Sequence, residues 1–310
     1  MRVNVWRLIV FFIFLLYVLP AEAQSDMQLS QHMLNRMHYN PAVTGASRYV
    51  NISGFLREQW QGWKGAPRSQ MITAHNYFNS INSGLGLVFF HDQIGLERCV
   101  NVKFNYAYHV KLSDDSYLSL GLGAGMLHRF FDRGDILSDD VVDDNLPYDI
   151  ENKTYPDFDF GIEFNNKRFR GGVSVTHLTH PSDKASPLIP GRHYYVFLRY
   201  TVPVNFQWEL EPSWFIQDNR KFIHSEVNVM AYYNRNFWFG ASLRADRTMS
   251  PESFIPIVGL YITKFLRMSY SYDINLGKLR SYSEGTHELT IGIRIRKDPF
   301  RYSKSPRFFE

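Results

Sequence analysis

Acidic residues are concentrated in one stretch of this chain, between residues 129 and 155. The stretch contains Asp132, Asp135, Asp139, Asp140, Asp143, Asp144, Asp149 and Glu151. Carboxylates gathered in one loop could hold calcium, because this ion takes several oxygen ligands at once. The spacing does not follow the EF-hand pattern, since there is no Asp-x-Asp-x-Asp-Gly with a closing Glu. A calcium-binding loop and a solvated loop are both compatible with the sequence.

Three histidines form a second group that could bind a metal ion. His177 and His180 stand three residues apart, and His193 follows across the same predicted loop. Imidazoles that converge in this way can hold zinc, but isolated histidines are also common in loops. We predict no bound metal and no cofactor.

Serine and histidine could also form a hydrolase site, which needs a nucleophile beside a base. The best such set is His287 with Ser269 or Ser271 on a neighbouring predicted strand. No Gly-x-Ser-x-Gly motif occurs in the chain. The sequence therefore predicts a protein that is not an enzyme.

The segment that contains His287 reads as two interleaved sequences. One face carries Leu289, Ile291, Ile293 and Ile295. The other face carries Glu288, Thr290, Gly292 and Arg294. Strict alternation of apolar and polar residues is typical of a β-strand with one apolar and one polar face. A soluble sandwich also contains such strands, but it buries their apolar face.

Repetition of this alternation favours a membrane protein. It recurs over residues 102–111, 117–126 and 267–273, and the segments are roughly 10 residues long, as a tilted bilayer-spanning strand requires. We therefore predict an all-β fold, a transmembrane antiparallel β-barrel of about 14 strands. The charged residues expected to face its lumen include Glu288, Arg294, Arg267 and Asp273. They would set the selectivity of a pore or pair into a structural network.

Connections between the predicted strands alternate between tight and longer ones. Asp114-Asp115 and Asn165-Asn166 belong to the tight set, and Gln93 to Val100 belongs to the longer set. Short periplasmic turns opposite longer extracellular loops are typical of outer-membrane barrels. The pattern predicts that both ends of the barrel chain lie in the periplasm. Glycines 121, 123 and 125 share one strand face, where they would let another segment approach the wall or would relieve crowding in the sheet.

The N-terminus has the features of a secretory signal peptide. Arg2 and Arg7 precede the apolar run from Leu8 to Leu19, and small residues precede a cleavage site after Ala23. The predicted divisions are a signal peptide (1–23), an N-terminal periplasmic segment or plug (24–48), the barrel (49–296) and a periplasmic tail (297–310).

Composition agrees with an exported barrel. Aromatic residues make up 16% of the 310 residues, as aromatic girdles at the membrane interfaces would require. Cys99 is the single cysteine, so an intramolecular disulfide is excluded. The formal net charge of +4 is too small and too dispersed to indicate a nucleic-acid partner.

Several short motifs occur in the first part of the chain, at Asn40, Pro41, Arg57, Gln59, Trp60, Gly62, Gly65, Ala66 and Pro67. In residue type and order they resemble the PorP/SprF family of type IX secretion system membrane proteins of Bacteroidota. Further matches, such as Pro156-Asp-Phe-Asp-Phe-Gly161, extend over nearly the whole mature chain. The Arg-x-Gln-Trp motif with the following Gly-Ala-Pro is the most specific of them.

The resemblance implies an outer-membrane protein that supports secretion or surface anchoring of adhesins and other cargo, with a role in gliding in some species. It implies as partners an exported adhesin or its C-terminal domain and periplasmic secretion components, besides the lipid bilayer. The motif residues between Arg57 and Pro67 could contact a partner or fold into the barrel mouth. The alternative function is a diffusion channel or a FadL-like transporter of hydrophobic solutes.

Overall fold

The computed structural model describes residues 27–47, 49–131, 152–179, 191–220, 222–277 and 283–296. The predicted signal peptide, most of the acidic loop 129–155, His180 and the tail 297–310 lie outside these residues.

Within the described residues, segments of alternating sequence form fifteen strand segments. They are β1 Tyr49–Glu58, β2 Arg68–Phe78, β3 Ser83–Ile94, β4 Glu97–Ser113, β5 Ser116–Phe131, β6 Lys153–Asn165, β7 Phe169–Thr176, β8 His193–Tyr200, β9 Val202–Pro203, β10 Trp208–Asp218, β11 Ile223–Tyr233, β12 Phe237–Ala245, β13 Pro251–Tyr261, β14 Leu266–Asn275 and β15 Thr286–Arg296. Short 3-10 turns lie at Arg36–His38, Pro41–Val43 and Asn79–Ile81. Within these ranges no helix is long and apolar enough to cross a membrane.

The strands close into one antiparallel barrel. The first strand pairs with the last, so that Tyr49 lies opposite Arg296. The two-residue β9 continues β8, because both pair with β10 in a single register, with Arg199 opposite Ser213 and Val202 opposite Leu210. The predicted fold class, a barrel of 14 strands, is confirmed. Closure pairs the backbone groups of each strand on both sides, which a sheet in hydrocarbon requires.

The two faces of each strand have opposite environments. On β15, Ile291 and Ile295 are 42% and 50% exposed, whereas Glu288 and Thr290 are 0% and 1% exposed. The same holds on β4, where Phe104 is half exposed and Lys103 is buried. The apolar face therefore points outward and the polar face points into the barrel, as in membrane barrels.

The connections define two different ends of the barrel. We call the end with the tight connections 79–82, 114–115, 166–168, 204–207, 234–236 and 262–265 the turn end, and the opposite end the loop end. The prediction of a longer connection from Gln93 to Val100 is wrong. Ile94 still pairs with Glu97, and only Gly95 and Leu96 remain between the strands. Gly95 has a φ of +57°, a value that suits glycine in a tight turn.

A charge on the outward face should destabilise the barrel in proportion to its depth. Ile291 is the sixth residue of β15 and Ile295 the tenth, on the same face. We expect Ile291→Arg to lower the free energy of unfolding by about 2–4 kcal/mol, and the matched Ile295→Arg near the strand end by about 0–1 kcal/mol. Urea titration of the protein folded into lipid vesicles measures both. Equal losses would contradict a lipid-facing centre of β15.

Candidate functional site

The lumen contains the N-terminal segment, residues 27–47. Most of these residues are buried, among them Leu29, Gln31 and Ala42. Met27, Leu29, Met37 and Tyr39 pack in one hydrophobic cluster with residues that point inward from the wall, such as Phe55. The segment passes from the level of the outer part of β1 to the turn end, where its Thr44 and Gly45 contact Gly84. We call residues 27–47 the plug segment.

The Asn40-Pro41-Ala42 motif seats the plug segment on the wall. The Asn40 side chain accepts a hydrogen bond from the Ala42 N–H (2.9 Å) and donates one to the Ile162 carbonyl of β6 (3.2 Å). It thereby caps the short 3-10 turn that begins at Pro41, where proline is favoured because its fixed φ suits a first helical position. The motif gives this segment a defined conformation and a defined attachment point.

Glycines in the wall make room for this contact. A Cβ on Gly121 would lie 2.1 Å from the Ala42 nitrogen, and a Cβ on Gly161 would lie 2.0 Å from the Asn40 Oδ1. A Cβ on Gly125 would instead lie 2.1 Å from the Val102 carbonyl oxygen of the neighbouring strand. The two roles considered for glycines 121, 123 and 125 thus apply at different positions. Gly121 allows the plug segment to approach the wall, and Gly125 relieves crowding in the sheet.

A buried ion network attaches the other end of the plug segment. The Arg57 guanidinium lies 2.7 Å from Glu288 and 2.9 Å from Asp273, and donates a hydrogen bond to the Ser30 hydroxyl (2.7 Å). Glu288 accepts the backbone N–H groups of Ser30 and Gln31, both at 2.7 Å. Arg57 is 1% exposed and Glu288 is fully buried. We call Arg57, Asp273, Glu288 and Ser30 the latch.

Arg244 extends the latch around the wall. Its guanidinium lies 2.9 Å from Glu226 and 3.3 Å from Asp273. His32 of the plug segment packs on Phe215 with ring centroids 4.4 Å apart. The His32 Nε2 lies 3.7 Å from Glu226 Oε1. His32 thus contributes an aromatic contact to the wall beside the carboxylate that pairs with Arg244.

A third attachment joins the plug segment to β6. Arg36 forms an ion pair with Glu163, and its guanidinium lies 5.3 Å from the centre of the Phe197 ring. The sequence did not identify Arg36, Ser30 and Gln31 as functional residues. No local signal marks these three residues, because the plug segment has no strand alternation and its polar residues resemble those of a surface loop.

The histidines form no metal site in the described ranges. His177 Nδ1 lies 3.0 Å from Asp157, which also contacts Lys103 at 3.0 Å. The His177 and His193 rings are 5.9 Å apart, and His193 is hydrogen-bonded to the Gly191 carbonyl. No group of three or more His, Cys, Asp or Glu residues is placed to hold a metal among the residues described.

The serine–histidine set does not come together. His287 is hydrogen-bonded to the Tyr270 hydroxyl on the outer face (2.6 Å), whereas Ser269 and Ser271 are buried on the lumen side. Tyr270 and Ser271 are neighbours in β14, so they point to opposite faces of the sheet. A proton cannot pass directly between these groups, which removes the best hydrolase set.

The motif that follows Arg57 builds a braced turn at the loop end. The Gln59 N–H donates to the Pro67 carbonyl and the Gly95 N–H donates to the Gly65 carbonyl, both at 2.9 Å. In a third hydrogen bond, the Gln61 N–H donates to the Gly285 carbonyl at 2.9 Å. Gly62 and Gly65 have φ values of +93° and +77°, which favour glycine.

Two tryptophans lie on this braced turn. The Trp60 and Trp63 rings meet edge to face with centroids 5.8 Å apart. Trp63 is 47% exposed, while Pro67 is buried and Gln59, Trp60 and Ala66 are partly buried. We call residues 59–67 the tryptophan turn. Its exposed surface is rigid and aromatic, whereas the Arg57 that precedes it points into the lumen and belongs to the latch.

The turn end opens into a basic cavity of about 410 Å³, which we call the vestibule. Its lining includes Arg36, Lys167, Arg168, Arg170, Arg199, Arg235, Arg267 and Arg294. Glu209 and Glu211 are the acidic residues that line it in the part of the chain described. Beside the plug segment, cavities of about 20 and 10 Å³ adjoin His32 and Gln28. Among the charged residues predicted to face the lumen, Glu288 and Asp273 lie in the latch, and Arg267 and Arg294 line the vestibule.

The latch should contribute strongly to stability. Arg57→Met leaves two buried carboxylates without their shared cation, so we expect the free energy of unfolding to fall by about 3–5 kcal/mol. The matched control is Arg68→Met, which breaks an exposed ion pair with Glu58 and should cost about 0–1 kcal/mol. Urea titration in lipid vesicles measures both variants. Similar small losses would contradict a structural role for the latch.

The glycine at position 121 should control the seating of the plug segment. Gly121→Ala places a methyl group on the Ala42 backbone, and we expect a loss of about 1–3 kcal/mol and faster proteolysis within residues 27–47. Gly54→Ala is the control, because a Cβ there meets no atom within 4 Å. Cleavage at equal rates in the two variants would show that the segment does not depend on this contact.

Comparison with known proteins agrees with this architecture. A family model for the type IX secretion system membrane protein PorP/SprF matches residues 21–293. The Ralstonia pickettii toluene transporter TbuX has a TM-score of 0.50 at 10% identity, covering 84% of this chain and 93% of its own. The CymD monoaromatic hydrocarbon channel has a TM-score of 0.52 at 11% identity, covering 87% of this chain and 94% of its own. At such identity the two structures show the barrel fold alone.

No protein with a curated description matches the chain significantly in sequence. The family match and the barrel fold together place the protein in the bacterial outer membrane.

Proposed function

Because the chain belongs to the PorP/SprF family of type IX secretion system membrane proteins, we propose that it is a non-enzymatic outer-membrane anchor for secreted cargo. In this role it supports the secretion or surface retention of an adhesin, and it takes part in gliding where the species glides. The barrel supplies a rigid body in the membrane, and its two ends meet different partners. The bilayer itself is the third partner.

The single observation that carries this proposal is the filled lumen. The plug segment is attached at the latch, at Glu163 and at the glycine seat of Ala42. The cavities that adjoin it near His32 and Gln28 are only about 20 and 10 Å³, close to the size of one water molecule. A barrel held closed in this way suits a docking platform better than a solute path.

The tryptophan turn supplies a docking surface at the loop end. Short turns of outer-membrane barrels face the periplasm, so the loop end faces the cell exterior. Aromatic residues on a rigid base are favoured as energetic centres of protein interfaces, because little conformational entropy is lost when they are buried. We propose that Trp63, with Trp60 behind it, contacts an exported adhesin or its C-terminal domain. Periplasmic secretion components would meet the turn end.

The second candidate is a channel or a FadL-like transporter, and the barrel likeness to TbuX and CymD favours it. Those proteins are described as a toluene transporter and a monoaromatic hydrocarbon channel. A path for such solutes here would require the plug segment to move. The vestibule is a lumenal space of about 410 Å³ among the described residues, and its lining is rich in arginine. An apolar solute would gain little from entering it.

Purification of the protein from outer-membrane fractions tests the anchor. We expect secreted cargo to co-purify with the unaltered protein and its recovery to fall by about tenfold or more with Trp63→Ala, as for an interface hot spot. Trp208→Ala is the control, because Trp208 lies at the turn end and packs on Tyr233. Recovery of neither cargo nor a secretion component by the unaltered protein would count decisively against the anchor.

Planar lipid bilayers distinguish the anchor from the channel. We expect the purified protein to be electrically silent, because the plug segment fills the lumen. A steady single-channel conductance would support the second candidate instead. Gly121→Ala serves as a comparison, since loosening the plug segment should produce intermittent current while Gly54→Ala stays silent.

A further inference from the structure

Two arginines in the vestibule lie side by side on neighbouring strands. Arg267 of β14 is opposite Gly292 of β15, and Arg294 follows two residues later on the same inward face. Diagonal neighbours of this kind are within reach of long side chains in an antiparallel pair. Gly292 makes this arrangement possible, because a Cβ there would lie 2.4 Å from the Arg267 Nε.

Several arginines of the vestibule have acidic partners, and these two do not. Arg199 lies 2.9 Å from Glu211, and Arg235 lies 2.8 Å from Glu209. Within the described residues, neither Arg267 nor Arg294 has a carboxylate within the 4.0 Å that defines an ion pair.

Neutral groups surround the two guanidinium groups. Arg267 lies 3.5 Å from the Leu34 carbonyl oxygen and 3.4 Å from the Ser53 hydroxyl. The Arg294 guanidinium lies 4.6 Å from the centre of the Tyr49 ring and 5.0 Å from that of Tyr261. Cation–π contacts of this kind hold Arg294 in place without neutralising its charge. The pair therefore presents uncompensated positive charge to the cavity.

Adjacent like charges in a partly enclosed space repel each other, and an anion bound between them offsets this repulsion. Guanidinium groups are suited to the task, because their planar fork of N–H donors matches phosphate and carboxylate oxygens in pairs. The cavity volume of about 410 Å³ lies within the range of small-ligand pockets, about 300–1,000 Å³.

We propose that the vestibule binds a small oxyanion, a phosphate or a carboxylate group of a soluble molecule, between Arg267 and Arg294. This binding site is independent of cargo docking at the tryptophan turn. Arg267 also contacts the plug segment at Leu34, so a bound anion would fix the guanidinium and stabilise the plug segment against the wall. Binding to the folded protein alone must raise the unfolding temperature.

Thermal unfolding of the full protein in detergent tests the site. Inorganic phosphate and succinate are added separately, with sodium chloride at matched ionic strength as the reference. We expect phosphate, succinate or both to raise the unfolding temperature above the chloride value. The more effective anion assigns the ligand to the phosphate or the carboxylate class.

Variants locate the binding. Isothermal titration with the effective anion should show affinity about tenfold weaker for Arg267→Gln and for Arg294→Gln, the loss expected for one charge-assisted contact. Replacing both by lysine keeps the charge but removes the planar fork, and should also weaken binding. Arg68→Gln is the matched control, because it removes one positive charge at the loop end.

Three results would overturn the site. They are equal effects of chloride and both oxyanions, an unchanged affinity in both Arg267→Gln and Arg294→Gln, and a loss of affinity in Arg68→Gln equal to that in the vestibule variants. Heat-modifiable mobility in gels shows whether each variant is folded. A misfolded glutamine variant would be replaced by the lysine variant. Loss of cargo docking in Trp63→Ala leaves anion binding unchanged, so the two proposals fail separately.

Discussion

The carboxylate of Glu288 connects the last strand of the barrel, the first strand and the plug segment. It sits on β15, accepts two backbone N–H groups of the plug segment, and pairs with Arg57 on β1, the strand that closes the barrel against β15. Burying a charge in this way is costly unless it is both paired and hydrogen-bonded, and Glu288 has both kinds of partner. Closure of the sheet brings Arg57 to Glu288, and the plug segment satisfies the oxygens that remain. Barrel and plug segment therefore stabilise each other.

The motif residues serve two parts of the molecule: some lie in the barrel interior, and others form the braced turn at the loop end. Arg57 points inward near the end of β1, and Trp60 lies three residues later in the braced turn. Asn40 caps a turn that presses Ala42 against a glycine of the wall. One short stretch thus connects the interior network to an exposed aromatic surface.

The two ends of the barrel differ in chemistry as well as in connection length. The loop end presents tryptophans on a braced backbone, which suits a protein partner. The turn end presents arginines around a cavity. Some of them are paired, whereas Arg267 and Arg294 have no carboxylate partner among the described residues. A protein that spans a membrane between two compartments can use this difference to meet different partners on each side.

The sequence by itself determined the barrel. Alternation has a period of two, so the sequence of each strand indicates which residues face lipid and which face the lumen. On β15, Ile291 faces outward and Glu288 faces the lumen. It also determined the turn end, since residues such as Asn166 and Asp114 favour tight turns. It could not determine what the lumen holds, because the plug segment has no periodicity and its attachments join residues far apart in sequence. Ser30 and Glu288 are 258 positions apart, and Arg36 and Glu163 are 127 positions apart. Only closure of the barrel brings those groups together, and only the folded structure shows that Arg57 is buried and that Arg267 and Arg294 face an open cavity. Pairing between distant residues depends on three-dimensional distance, which no local pattern records.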